Sequence, residues 1–147
     1  MFIQFAIGTA LILITLMFTG LAFWGIEVVF ERRRAWLSRP PHRPKLILTL
    51  LGLAIWVIVQ FSIAVWVWAL TFLWLGIFEG LEPALYFSLV AFTTLGFGDV
   101  LLPDQWRLLS GLAAGNGLMH FGLMTAILVE GVRQIRLRQI AHLDGAR

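Results

Sequence analysis

The chain has no cysteine among its 147 residues, which excludes both a disulfide framework and a thiolate metal site. Charge is also scarce, because 13% of the residues are Asp, Glu, Lys or Arg while 60% are hydrophobic. The mean hydropathy of +0.90 is far above that of a soluble domain. The sequence contains no nucleophile–base pair, metal-ligand cluster or phosphate-binding loop, so we expect neither an enzyme nor a cofactor. Composition therefore predicts an integral membrane protein.

Three apolar runs are long enough to cross a bilayer as helices. They predict an N-terminal helix over residues 1–31, a second helix over 46–78 and a third over 106–133. Residues 83–93 are too few to span and predict a re-entrant helix, with Pro83 in the first turn, where a missing N–H costs nothing. The expected fold class is an all-α membrane protein with three transmembrane helices, a re-entrant helix and a loop after it.

The positive charges predict the orientation of these helices. Ten of the eleven Lys and Arg residues lie in segment 32–45 or from Arg133 onward, and Arg107 lies on the other side. The positive-inside rule then makes 32–45 a cytoplasmic linker and 134–147 a cytoplasmic tail, with the N-terminus outside the plasma (inner) membrane. This distribution accounts for the net charge of +3 without a nucleic-acid partner.

Three consecutive arginines, Arg32, Arg33 and Arg34, open the basic linker. Beside Trp36 and Leu37 they could bind the headgroups of anionic membrane lipids. They could equally serve only to fix the topology, and both interpretations stay open.

The segment Thr93-Thr94-Leu95-Gly96-Phe97-Gly98-Asp99 interrupts the apolar runs. Irregular backbone survives at membrane depth only where it lines a protein-buried or water-filled path. Alternate glycines, Gly96 and Gly98, allow φ to change sign, so that successive carbonyls can turn to one side. Such a row of oxygens, with the Thr94 hydroxyl, can replace the water around a cation, and Asp99 can concentrate cations at the mouth. Because one chain supplies one oxygen per level, several chains must surround an axis. An ordinary turn between two helices is the alternative, which the paired threonines and the terminal Asp disfavour.

This heptad resembles the selectivity filter of potassium channels, with Leu95 and Phe97 in place of Val and Tyr. The likeness extends to the pore helix, residues 84–93, and to the inner helix, residues 117–126. The resemblance implies a homotetramer of a potassium-selective channel subunit with a pore domain over 46–133. Potassium would bind in a filter at 94–99, at the residues Thr94, Leu95, Gly96, Phe97 and Gly98. The N-terminal helix is an addition to the two-helix pore unit, and its packing position is not predicted.

The residues around the filter differ from the family pattern. Phe97 lacks the hydroxyl of the usual Tyr, while Tyr86 and Phe87 replace a Trp pair, and Val90 replaces a Glu found in some members. Together with Thr93 and Asp99 these form the expected filter support. We expect it to rely mostly on apolar packing, with fewer hydrogen bonds, which keeps a weakly selective cation channel open as an alternative. A non-conducting regulatory subunit is a further alternative, although a complete filter argues against it.

The third helix carries the expected gate. The resemblance makes Gly117 a hinge, and a spacing of 100° per residue places Leu118, Thr125 and Val129 on one face, which we assign with Phe121 to the cavity. Val129 is the candidate for an apolar gate. Outside that list, Asn116 and His120 face away from the cavity. His120 is either a pH sensor or, as we prefer, a neutral side chain that is hydrogen-bonded to Asn116 or to another helix.

Overall fold

The computed structural model of the protein describes residues 1–32 and 42–144, and their regular structure is entirely helical. The four helices are α1 (Phe2–Arg32), α2 (His42–Trp74), α3 (Leu81–Phe92) and α4 (Arg107–Asp144). Three of them contain stretches long and apolar enough to cross a membrane: Phe2–Val29, Ile47–Trp74 and Arg107–Gln134. The predicted fold class, an all-α membrane protein, is therefore confirmed.

Helix α2 ends at Trp74, four residues before the predicted end of the apolar run at residue 78. Gly76 has φ of +66 and follows the last turn. Its N–H donates to the Leu73 carbonyl, and the Ile77 N–H donates to the Phe72 carbonyl, at 2.9 and 3.0 Å. This is a Schellman motif, in which a left-handed glycine satisfies the last carbonyls of a helix and stops it.

The other helix boundaries also differ from those predicted. α2 begins at His42 rather than 46, because Pro44 falls in the first turn, where its missing N–H has no intrahelical partner. α3 spans Leu81–Phe92 instead of 83–93, and α4 continues beyond 133 to Asp144, through most of the predicted tail. Arg33 and Arg34, for which lipid binding was predicted, lie outside the described residues.

Two of the long helices run in the same direction. Gln4 contacts Leu108, and Thr15 contacts Asn116, so positions further along α1 meet positions further along α4. α2 runs the opposite way, since Phe61 stacks near Phe121 at 5.5 Å and Leu53 approaches Gly131, ten residues later in α4. The chain therefore passes up, down and up again, as three successive membrane spans would.

The core lies where α2, α3 and α4 meet, and α1 adds to it. Phe72 sits at its centre, with ring centroids 5.4 Å from Phe87 and 5.7 Å from Trp68. This core holds α3 against the two long helices and so fixes the position of the loop that follows α3. Its buried members are Leu11, Ala64, Val65, Trp68, Phe72, Phe87, Ala91, Phe92, Leu102, Leu109 and Ala113.

Candidate functional site

The short helix α3 leads directly into the heptad. It begins after Gly80 and ends at Phe92, and Thr93 is its C-cap with φ of −79 and ψ of −3. The Thr93 hydroxyl donates to the Leu89 carbonyl at 2.6 Å, which anchors the first residue of the heptad to the last turn of α3. The C-terminal end of a helix carries partial negative charge, so the loop starts in a field that favours cations.

The backbone of the loop alternates in the sign of φ. Thr94, Gly96 and Gly98 have φ of +61, +57 and +77, whereas Leu95 and Phe97 keep the ordinary negative sign. Alternation of this kind is what the two glycines predict, because it can turn successive carbonyls to the same side of the strand.

Thr94 extends the alternation by one residue beyond the glycines. A β-branched residue with positive φ is an outlier, and such strain costs on the order of 1–3 kcal/mol. The Thr94 N–H donates to the Ala91 carbonyl at 2.9 Å, which holds the residue in place. The sequence did not predict this conformation, since threonine is not a residue that normally adopts it.

The amide groups of the loop point back to α3. The N–H groups of Leu95 and Gly96 both donate to the Val90 carbonyl, at 3.1 and 3.4 Å. Within residues 1–32 and 42–144, no hydrogen bond reaches the carbonyl oxygens of Thr94 to Gly98. Backbone carbonyls normally have hydrogen-bond partners, so these five oxygens are an exception within the single chain.

The carboxylate that ends the heptad is held by a tyrosine. The Tyr86 hydroxyl donates to Asp99 Oδ2 at 2.5 Å. This hydrogen bond lowers the pKa of Asp99, with further help from backbone N–H groups, and it raises the pKa of Tyr86. The loop is therefore braced at Asp99 by a hydrogen bond from Tyr86, whereas the support residues as a group were expected to rely mostly on apolar packing, with fewer hydrogen bonds.

The remaining support residues divide between core and surface. Phe87 is buried against Phe72 and Phe78, and Val90 acts through its backbone carbonyl. Leu95 and Phe97 are instead 60% and 67% exposed in the single chain. A groove behind the loop, about 300 Å³ in volume, is lined by both kinds of residue: Phe87, Val90, Ala91, Thr94, Gly96, Gly98, Val100, Leu101, Ser110, Gly111 and Ala114.

Gly117 meets the end of α3. A β-carbon built on Gly117 would lie 1.8 Å from the Phe92 carbonyl oxygen, far inside any allowed contact. Glycine is therefore required here by the close approach of two helices, independently of the hinge role that the resemblance implies.

The residues assigned to the cavity are exposed in the single chain. Leu118, Phe121, Thr125 and Val129 are all exposed on α4, although the Phe121 ring also lies against Phe61 of α2, with 5.5 Å between the centroids. The Thr125 hydroxyl donates to the Phe121 carbonyl of its own helix at 2.8 Å. These four residues thus share one open face, as the helical spacing predicts.

The opposite face of α4 packs on α1 through polar side chains that the sequence analysis did not connect. Asn116 Nδ2 donates to Thr15 Oγ1 at 2.8 Å, and both residues are buried. Gln4 Oε1 accepts from the Leu108 N–H at 3.0 Å, which satisfies a free amide in the first turn of α4. Thr15 and Thr19 also bond carbonyls of α1 itself, at Leu11 and Thr15.

The signal for this contact was present in the first apolar run. Gln4, Gly8, Thr15 and Thr19 are separated by four, seven and four residues, which places them on one side of a helix. Gly8 completes the stripe, because a β-carbon there would lie 2.4 Å from Leu112 Cδ1. Small and polar residues in such a stripe are typical of helix–helix contacts in membranes.

His120 lies between α1 and α3. Its Nδ1 is 3.5 Å from Thr19 Oγ1, and its ring centroid is 5.6 Å from that of Phe92. It is 1% exposed, and Nε2 has no hydrogen-bond partner among the described residues. The preferred interpretation, a polar contact with another helix, fits this position, and the partner is Thr19 rather than Asn116.

Residues 54–134 match the sequence profile of a protein family described as ion channel. The match begins within α2 and includes α3, the heptad and most of α4, which is more than half of the chain. Comparison with curated proteins and with solved structures gave no significant match. An apolar three-span fold, a loop that contains the strained Thr94 and unbonded carbonyls, and this match agree with one another: the chain belongs to the ion channel family.

Proposed function

We propose that the protein is the subunit of a potassium-selective channel, in which four copies surround an axis and each contributes the loop 94–99. The carbonyls of Thr94 to Gly98 form the rings of oxygen that replace the water around potassium. The observation that carries this proposal is the alternating φ of the loop together with its unbonded carbonyls.

The exposed side chains of the loop support an assembly of several copies. Leu95 and Phe97 are apolar and largely exposed in one chain, and neither lines the groove behind the loop. Contact with a neighbouring copy buries them and keeps the carbonyl rows at a fixed distance from the axis. The open face of α4 that contains Thr125 and Val129 then lines the cavity on the inner side of the filter.

The distribution of charges supports an orientation of this pathway in the membrane. The basic residues around Lys45 and Arg133 face the cytoplasm, and Asp99 faces the outside of the plasma membrane, where it attracts cations. Arg32, which is exposed at the end of α1, contacts anionic lipid headgroups at the cytoplasmic surface. Conduction is passive and requires no cofactor, and potassium itself is the bound ion.

The reversal potential of the purified protein in planar bilayers tests the proposal, with potassium on one side and sodium on the other. A value near the potassium equilibrium potential is the expected result. A robust current that reverses near zero would replace the proposal by a weakly selective cation channel. Silence, combined with no difference in melting temperature between potassium and sodium, would point to a non-conducting subunit.

A pair of Gly→Ala variants tests whether the loop conformation determines selectivity. Gly98 has φ of +77 and no atom near the position of a β-carbon. Gly98→Ala therefore strains the loop without a clash, and we expect it to abolish selectivity. Gly25→Ala, which also has open space but lies in α1 with ordinary φ and away from the groove behind the loop, is the matched variant and keeps the wild-type reversal potential.

A further inference from the structure

The inner helix α4 is held tightly along one part of its length. Asn116 bonds Thr15, His120 contacts Thr19, and Gly117 presses against the Phe92 carbonyl. Residues 116–120 are thus fixed by α1 on one side and by the end of α3 on the other. A bend at Gly117 would break these buried polar contacts and pull on the residue that leads into the filter.

The contact between α1 and α4 loosens immediately after His120. A cavity of about 290 Å³ opens between them, lined among others by Gly20, Phe23, Leu123 and Ala126. Its walls are apolar apart from Thr19 and Glu130, and within residues 121–133 of α4 the structure shows no hydrogen bond to the described part of α1. A second space follows it, bounded by Glu27 and Gly131 among others.

The space between α1 and α4 lies on the side of α4 opposite to the cavity of the pore, so α4 can move into it when the pore opens. At about 100° per residue, Leu123 and Ile127 are roughly 160° and 200° from Thr125, which faces the cavity of the pore. Movement of the lower part of α4 into this space therefore carries Val129 away from the axis. Gly122 is located at the boundary, and its β-carbon position has no atom within 4 Å.

We propose that α4 pivots at Gly122, below the segment held by Thr15, Thr19 and Phe92, and that α1 is the fixed support against which the gate moves. This rests on the proposed function, since it assigns the moving part of that channel. Gly117 is then a packing glycine, and the filter is isolated from the bending of the gate because residues 116–120 stay in place.

Single-channel recording of three variants tests the pivot. Gly122→Ala stiffens the helix and should lower the ratio of open to closed states about fivefold per chain, the difference in helix propensity between Ala and Gly. Gly122→Pro bends the helix at this point and should raise the open probability. Gly115→Ala is the matched control, because its β-carbon position is equally free of contacts but lies above the held segment. It should leave gating unchanged.

The outcomes separate this inference from the proposed function. An equal fall in open probability for Gly115→Ala and Gly122→Ala, or none for Gly122→Ala, would overturn the pivot. The reversal potential of the wild type, recorded in the same bilayers, reports on the proposed function alone. If no current is seen, amide hydrogen exchange decides the pivot: Gly122→Ala should slow exchange around residues 122–126, and Gly115→Ala should have no effect on its own surroundings. Equal slowing of exchange in both variants would contradict a pivot at Gly122.

Discussion

The Tyr86 hydroxyl donates a hydrogen bond to Asp99 across thirteen positions of the chain, joining the first half of α3 to the end of the loop. Residues Thr94 to Gly98, whose φ alternates in sign, lie between these two partners. The loop is thus attached to α3 at both ends, through Thr93 at its start and through Asp99 at its mouth. This attachment makes the charge state of one exposed carboxylate important for the whole segment.

We predict that Tyr86→Phe makes the channel more sensitive to external acid. The hydrogen bond from Tyr86 lowers the pKa of Asp99, so its loss raises that pKa towards the ordinary value. The stabilisation from this bond is complete above the ordinary carboxyl pKa and disappears as pH falls through the lowered pKa of Asp99. Current recorded against external pH should therefore decline at a higher pH in the variant.

Asp104→Asn is the control for the acid experiment. Asp104 is also an exposed carboxylate on the loop side of α4, but its partner is Arg107 at 3.6 Å. If this variant shifts the acid response as much as Tyr86→Phe, general surface charge rather than the Tyr86 contact determines the effect.

Gly117→Ala is predicted to destabilise the fold, with a cost of about 1–3 kcal/mol or more. The added methyl group would overlap the Phe92 carbonyl, which belongs to backbone and cannot rotate away. The measurement is the melting temperature and the yield of assembled protein in detergent. A variant as stable as wild type would mean that α3 and α4 are not in the close contact described.

Thr15→Val should destabilise the pairing of α1 with α4 by about 0.6–2 kcal/mol. The substitution leaves the buried Asn116 amide without its partner, and an unpaired polar group in the membrane is costly. Thr71→Val is the matched control, because the Thr71 hydroxyl bonds only a carbonyl of its own helix. A double-mutant cycle of Thr15→Val with Asn116→Leu, followed by unfolding, measures the coupling, and a coupling of zero contradicts the contact.

Potassium should raise the melting temperature of the assembled protein relative to sodium. A ligand that binds only the folded state stabilises it by about 2.7 kcal/mol at a concentration one hundred times its dissociation constant. Gly96→Ala, which forces a β-carbon onto a residue with φ of +57, should remove this difference. Equal melting curves in both salts for the wild type would argue against ion binding by the loop carbonyls.

Phe97→Tyr is predicted to change the stability of the conducting state. Phe97 is exposed in the single chain and carries no hydroxyl, so in the assembly it contributes packing alone to the filter support. An added hydroxyl can donate to a neighbouring side chain and stiffen the loop. The expected result is a longer open lifetime or a higher ratio of potassium to sodium permeability. Unchanged values of both would show that this position does not limit the filter.

The sequence predicted the membrane spans because lipid imposes a simple requirement on length and hydropathy. Helix ends were less accessible, since hydropathy continues through Gly76 although its left-handed backbone stops α2. The alternating glycines predicted the loop conformation at Gly96 and Gly98. The positive φ of Thr94 was not predicted, because it depends on how the end of α3 meets the loop.

The packing position of α1 was the part of the fold that the sequence predicted least. Hydropathy is nearly uniform around this helix, so it gives no direction for packing. The contacts of Thr15 and Thr19 lie 101 residues away in the sequence, and only the three-dimensional arrangement brings them to Asn116 and His120. The polar stripe on α1 indicates that a partner exists but not which helix supplies it.

The separation of 101 residues between Thr15 and Asn116 also means that their two helices enter the membrane at different times during synthesis. Because chains emerge from the N-terminus, α1 enters the bilayer long before α4 is made. Thr15 and Thr19 tolerate this interval, since each hydroxyl already donates to a carbonyl of its own helix. Asn116 and His120 carry an amide and an imidazole, which need more hydrogen bonds, and both belong to α4, which is made later than α1. The side chains that cost more free energy when unpaired in lipid therefore enter the membrane after their partners on α1 have been inserted.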